Sequence, residues 1–154
     1  MKRLATTVFA LLFSFAYSQE EDNIEYYQDL FGMDKVQVVA NLIEPGEEVK
    51  EKFWNIYDEY EDERRELGLN RYGLIREYVD KYETLNNDNV DKVVKAAIQQ
   101  RLQQDGLIKK YYKRLAREIN PVIAAQFYQI EHYFQSEINV AIYSSLPMVG
   151  ELKN

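Results

Sequence analysis

Apolar residues step by three and four along most of this chain, a spacing that fits helices and not strands. Val49, Phe53, Tyr57, Tyr60, Leu67, Leu74, Tyr78 and Tyr82 form one stripe. Val94, Ala97, Ile98, Leu102, Ile108, Tyr111, Tyr112, Leu115 and Ile119 form a second. Ile123, Phe127, Ile130, Phe134, Ile138 and Ala141 or Ile142 form a third. A shorter stretch from about Asn23 to Leu42 precedes them, with Tyr26, Tyr27, Leu30, Phe31, Val36, Val39 and Ala40 on it and Gly32 interrupting it. Each stripe places its apolar members on one helical face. Six Gly and three Pro are too few for a strand-and-turn fold of this length.

The breaks carry helix signals of their own. Ile43-Glu44-Pro45-Gly46 opens the second stretch, with Pro45 suited to a first turn and Glu47 and Glu48 to the positive end of the helix dipole. Leu85-Asn86-Asn87-Asp88-Asn89 is rich in residues that cap helices and make turns. Asn120-Pro121 is a cap followed by a first-turn proline, and Ser144 and Pro147 end the last stretch. The expected fold is therefore all-α, with four helices. The two long ones form an antiparallel hairpin about the Asn-rich turn. The second helix alone, at roughly 37 residues, would span about 55 Å, so the molecule is expected to be elongated. Gly68 and Gly73 lie opposite Gly106 across that hairpin, which predicts a bend at that level and a curved surface.

The start of the chain reads as a signal peptide over residues 1–18. Met1-Lys2-Arg3 is a basic n-region, Leu4 to Phe15 an apolar stretch too short to span a bilayer, and Ala16-Tyr17-Ser18 a small-residue cleavage site before Gln19. An uncleaved anchor is the alternative. No second apolar run follows, so no stable membrane anchor is expected. Residues 19–154 then form a single helical domain, long enough to build a core without disulfides. The chain has no Cys, which excludes disulfides and thiolate chemistry and points to a bacterial periplasm or exterior.

Charge adds a register for the hairpin. Asp58, Glu59, Glu61, Asp62 and Glu63 make an acidic block; Lys109, Lys110, Lys113, Arg114 and Arg117 make a basic one. A reversal near Asn86 or Asn87 sets position 60 opposite about 113, so the blocks face each other. Either they pair and set the register, or they are two solvated faces.

Little in the sequence carries chemistry. No phosphate loop, nucleophile elbow or zinc-protease pattern is present. The one His, His132, reads as interfacial, with a carboxylate-assisted metal site as the alternative. The net charge of −7 becomes more negative once Lys2 and Arg3 leave, which argues against nucleic-acid binding. No enzyme activity and no cofactor is expected. The 13 Tyr are the more telling feature. Their apolar bodies and polar tips suit an interface or the wet edge of a thin helical core, and both readings stand. Self-association is a natural way for such a thin layer to bury more surface, so a homodimer is expected.

Phe53-Trp54-Asn55-Ile56-Tyr57-Asp58-Glu59-Tyr60-Glu61 resembles a stretch of the Spy/CpxP-like, or LTxxQ-motif, family of periplasmic helical proteins. Ala124-Ala125-Gln126-Phe127 and Gln129-Ile130-Glu131 are similar to that family's later segment. The order of signal peptide, short helix, two long helices and final helix also matches. No Leu-Thr-x-x-Gln occurs; the matching positions read Leu42-Ile43-Glu44-Pro45-Gly46 and Ile119-Asn120-Pro121-Val122-Ile123. The resemblance implies a cradle-shaped homodimer acting as an ATP-independent chaperone or a modulator of envelope stress. The alternative is a structural or regulatory adaptor docking one specific envelope protein through its Tyr-rich face. Phe53, Trp54, Tyr57, Tyr60, Arg64 and Arg71 are the candidate residues for a client, a partner or a second copy.

Arg64 and Arg71 fall where the apolar stepping of the second helix skips a turn. Their stems can pack in the seam while the guanidinium seeks a carboxylate. Glu131 is the candidate inter-helix partner of both, and Glu137 the other. The alternative is that both Arg reach out to solvent or pair locally, for example with Glu61 or Glu63.

Overall fold

The computed structural model describes residues 35–150 of the 154. Its regular structure is helical, with no strand among the described residues. Residues 35–42 form α1, Lys50–Lys81 α2, Val90–Glu118 α3 and Pro121–Ser145 α4. The all-α expectation and the long hairpin are both met. The expected signal peptide and the part of the expected first helix before residue 35 lie outside the described residues. No described helix is long and apolar enough to cross a membrane.

The punctuation acts largely as the sequence implies. A 3-10 turn at Tyr82–Thr84 ends α2. Asn89 Oδ1 then accepts from the Asn86 N–H at 2.9 Å, and Asn86 Oδ1 accepts from the Asp88 N–H at 2.9 Å. The asparagines thus satisfy backbone donors that no helix reaches. Asn120 caps α4 by accepting from the Ile123 N–H at 2.9 Å, with Pro121 in the first turn. Asn120→Ala should cost about 1 kcal/mol, read by chemical denaturation.

One expectation changes. Pro45 does not sit in the first turn of α2. The residue before a proline is held extended, and a turn closed by the Val49 N–H on the Gly46 carbonyl, 2.9 Å, delays the helix to Lys50. At the glycines the helices continue without a break: α2 runs through Gly68 and Gly73, and α3 through Gly106. Tertiary packing overrides the local weakness. A Cβ added at Gly73 or Gly106 meets nothing within 4 Å. Gly73→Ala and Gly106→Ala should therefore each raise stability, by up to about 1 kcal/mol, in thermal melts.

α2 and α3 pack antiparallel, and α4 returns along α3, parallel to α2. Contacts climb α2 and α4 in step: Tyr60 with Glu131, Arg71 with Asn139, and Tyr78 with the Pro147 carbonyl. α1 packs against this layer with Val39 and Ile43 in the core. That core gathers the first half of α2, the second half of α3 and the first half of α4, and includes Phe53, Tyr57, Tyr60, Tyr111, Leu115 and Phe127. The Tyr60 ring meets Phe127 edge-on at 4.9 Å and Tyr111 at 5.3 Å.

The acidic and basic blocks do face each other. Lys110 bonds Glu63 at 2.6 Å, and Arg114 forks onto both oxygens of Glu59. Tyr111 donates to Glu63 at 2.7 Å. These pairs are exposed or partly so, which limits each to about 0–1 kcal/mol. Their consequence is the register of α2 on α3.

The other half of the hairpin departs from the expected stripe. Val94, Ile98 and Leu102 are 48%, 54% and 59% exposed. The inward positions belong to Gln100, which donates to the Leu67 carbonyl at 3.3 Å, and to Gln104, which accepts from Gln135. Stepping back from Ile108 by four reaches Gln104 and then Gln100, so the buried face runs through polar residues.

Candidate functional site

Three helices each contribute one face to a buried cluster of charge. On α2, Tyr57, Tyr60, Glu61 and Arg64 recur at spacings of three and four. On α4, Phe127, Glu131 and Phe134 do the same. On α1, Lys35 precedes Val39 and Ile43 in steps of four, so the lysine heads an apolar stripe. The helices converge on the Lys35 ammonium, whose side chain is 1% exposed.

Lys35 Nζ lies 2.6 Å from Glu61 Oε1 and 2.7 Å from Glu131 Oε2. The rings of Tyr60, Tyr57 and Phe134 stand 5.1, 5.7 and 5.7 Å from the same nitrogen. These are cation–π distances, so the ammonium sits in an aromatic cage closed by two carboxylates. Tyr60 donates to Glu131 Oε2 at 2.6 Å, and the Tyr57 hydroxyl reaches Oε1 at 3.5 Å. Arg64 forks onto Glu61 through Nε, 3.0 Å to each oxygen, and through its terminal nitrogen at 2.8 Å.

Two cations and two carboxylates make the cluster neutral, and each buried charge has direct partners. Such burial is tolerated only with that completeness. Burial pushes the Glu61 carboxyl up, but the charges of Lys35 and Arg64 outweigh it and hold the group at about 2. Burial, with the Glu131 charge, drives the hydroxyls of Tyr57 and Tyr60 well above the usual phenol range. Burial also penalises the Arg64 cation, and Glu61 more than offsets it. The Tyr57 and Tyr60 hydroxyls therefore remain donors and the Glu61 carboxylate remains an acceptor. The cluster clamps three helices together.

The sequence-derived site residues are redistributed accordingly. Phe53, Tyr57 and Tyr60 are core residues, 0%, 0% and 2% exposed, and present no free docking face; Trp54 is half-buried at their edge. Neither Arg64 nor Arg71 pairs with Glu131. Arg64 takes the local partner Glu61, three residues away on its own helix. Arg71, nearly two turns further along α2, reaches Asn139 Oδ1 at 2.6 Å and Gln104 Oε1 at 3.5 Å. Burial lowers the Arg71 pKa, and no carboxylate offsets it. Glu131 is indeed a buried inter-helix ion-pair member, but its cation is Lys35. The apolar stepping that singled out the two arginines holds for Lys35, Val39 and Ile43 as well, and would have found it.

His132 is half-buried against Tyr128, ring centroids 4.3 Å apart. No group of three metal-ligating side chains occurs among the described residues. Glu63, Glu66, Leu67, Gln103, Gly106 and Lys110 line a shallow open groove between α2 and α3, with no enclosed volume for a small substrate. Comparison with known proteins adds no relative: no family model, no curated protein and no solved structure matches the chain.

Proposed function

We propose that this chain is a non-catalytic binding protein of the bacterial envelope, acting as an ATP-independent chaperone or stress modulator of the Spy/CpxP kind. The observation that carries the reading is the display of large apolar side chains on an all-helical scaffold. Val94, Ile98 and Leu102 stand out along α3, and Leu69, Tyr72 and Val79 along α2. Exposed apolar side chains of that kind on helices suit an unfolded segment seeking transient cover. The signal-like residues 1–18 support the compartment, and the missing Cys is consistent with it. A homodimer belongs to the same proposal, since pairing would cover part of this surface.

The adaptor reading draws on a different patch. Tyr112 and Tyr128 meet edge-on at 6.0 Å beside His132, and both Tyr are exposed. A compact aromatic cluster suits one fixed partner better than many clients.

Aggregation of two unrelated unfolded proteins, followed by light scattering at near-stoichiometric ratio, separates the two. Suppression of both, lost in Ile98→Lys/Leu102→Lys, is the result expected of a chaperone. Suppression of neither, with a single envelope protein crosslinked through Tyr128, would transfer the assignment to the adaptor.

A further inference from the structure

We propose that Arg71, Arg101, Gln104, Asn139 and Tyr143 form a binding site for a phosphate-type dianion, in the half of the bundle nearer the hairpin turn. The inference goes beyond the envelope reading above and does not depend on it.

The site begins where the contiguous core ends, at Leu67 on α2, Leu107 on α3 and Ile130 on α4. Beyond that level Arg71 sits between Gln104 and Asn139, bonded to the side-chain oxygen of each. A guanidinium offers donors only, so both amides turn their oxygens towards it. Gln104 Oε1 also accepts from Gln135. Those two oxygens are thereby engaged, and the amide nitrogens of Gln104 and Asn139 are left as donors. Arg71 keeps its Nε and one hydrogen on each terminal nitrogen for a further acceptor.

Two more donors stand one turn closer to the hairpin turn. Arg101 lies three residues before Gln104 on α3, and Tyr143 four residues after Asn139 on α4. Arg101 is exposed and Tyr143 is 67% exposed, so the cluster opens to solvent at this end. Arg101 makes no ion pair among the described residues. Its charge adds to burial in disfavouring the Arg71 cation. The neighbours of Arg71 at three and four positions on α2 are Leu67, Gly68, Leu74 and Ile75, so its own helix supplies no carboxylate. The chain carries a net charge of −7, yet here two guanidiniums and two amide donors gather without an anion.

Charge and donor count set the ligand class. A carboxylate neutralises one guanidinium and leaves the other. A phosphate group carries a charge of about −1.5 to −2 at neutral pH and three strong acceptor oxygens. It matches both arginines, each of which can fork onto it, and the amide and phenol donors take the remaining lone pairs. Bound there, it joins α2, α3 and α4 at a level the apolar core does not reach.

Calorimetric titration of the full chain at fixed ionic strength tests the site with inorganic phosphate, glycerol phosphate and acetate. Inorganic phosphate should bind saturably and raise the melting temperature; acetate should do neither. Glycerol phosphate binding at least as tightly would support the site as one for a phosphate ester, and its exclusion would support a free-ion site. Arg101→Gln, at an exposed position outside the core, should weaken phosphate binding about tenfold, the loss of one charge-assisted contact. Arg71→Gln should abolish the saturable response, and if that variant does not fold, Arg101→Gln decides. Lys109→Gln, an exposed cation of the basic block, should leave the affinity unchanged. Acetate binding as tightly as phosphate, equal losses in Arg101→Gln and Lys109→Gln, or no saturable binding by the intact chain would overturn the site and leave Arg71 in a purely structural polar layer.

Discussion

Glu131→Gln should destabilise the protein by about 3–5 kcal/mol, far more than loss of any exposed pair on the hairpin. The change is almost isosteric, so no cavity is made and packing is kept. What disappears is the negative charge that Lys35 meets at 2.7 Å, inside a site where Lys35 is 1% and Glu131 3% exposed at the side chain. Glu61 remains, but it already serves Arg64. The buried cluster is left with a net positive charge that water cannot reach. Lys35→Met should cost a similar amount for the opposite reason, an orphaned carboxylate. The double change removes both charges and leaves a thioether and an amide among aromatic rings. It should be much less damaging than the sum of the single changes, and the shortfall is the coupling energy. Urea unfolding of the four proteins, followed through Trp54 fluorescence, measures it. Additive losses of under about 1 kcal/mol each would mean that water enters the cluster and screens it as at an exposed surface.

Much of this arrangement is legible in the sequence because helices advertise themselves locally. The Asn-rich turn and Asn120-Pro121 place two boundaries, and the facing charge blocks give the hairpin register near Glu63 and Lys110. What sequence reading loses is the angular position of each face once neighbours compete for it. Val94, Ile98 and Leu102 look like core by composition, yet Gln100 and Gln104 face inward, because α2 offers Gln100 the Leu67 carbonyl and α4 brings Gln135 to Gln104. The arginines illustrate the same limit. Arg64 has carboxylates within reach on its own helix and on α4, and spacing alone cannot rank Glu61 against Glu131. Distance along the helix decides: Glu61, one turn away, forms the fork with little side-chain entropy lost, and Glu131 stays with the shorter reach of Lys35 and Tyr60. The Phe53-to-Tyr60 run shows a third case. Its aromatic character is plain in the sequence, but an interface and a core call for the same residues, and only the fold shows that α1, α3 and α4 already cover it.

The same cluster should make the protein acid-labile in a defined window. Glu61 titrates at about 2 when folded, against an ordinary carboxyl value of 4.5. Burial alone would raise the folded value; Lys35 and Arg64, both bonded to Glu61, bring it down. A group whose folded pKa lies below its unfolded one stabilises the fold while ionised. That stabilisation is complete above about pH 4.5 and is lost as pH falls towards 2, because the unfolded chain then takes up a proton that the folded chain refuses. A difference of this size corresponds to about 3 kcal/mol at neutral pH. The exposed Glu59 and Glu63 are held low by hydrogen bonds to Arg114 and Lys110 and shift in the same direction, but salt screens them. Salt therefore separates the contributions. The acid transition measured by far-ultraviolet circular dichroism in high salt should lose the surface share and keep that of Glu61. In Glu61→Gln the pH dependence between 4.5 and 2 should flatten, with lower stability at neutral pH. An acid profile unchanged by Glu61→Gln would place the acid lability elsewhere, and would mean that Glu61 is not held ionised by Lys35 and Arg64 in the folded chain.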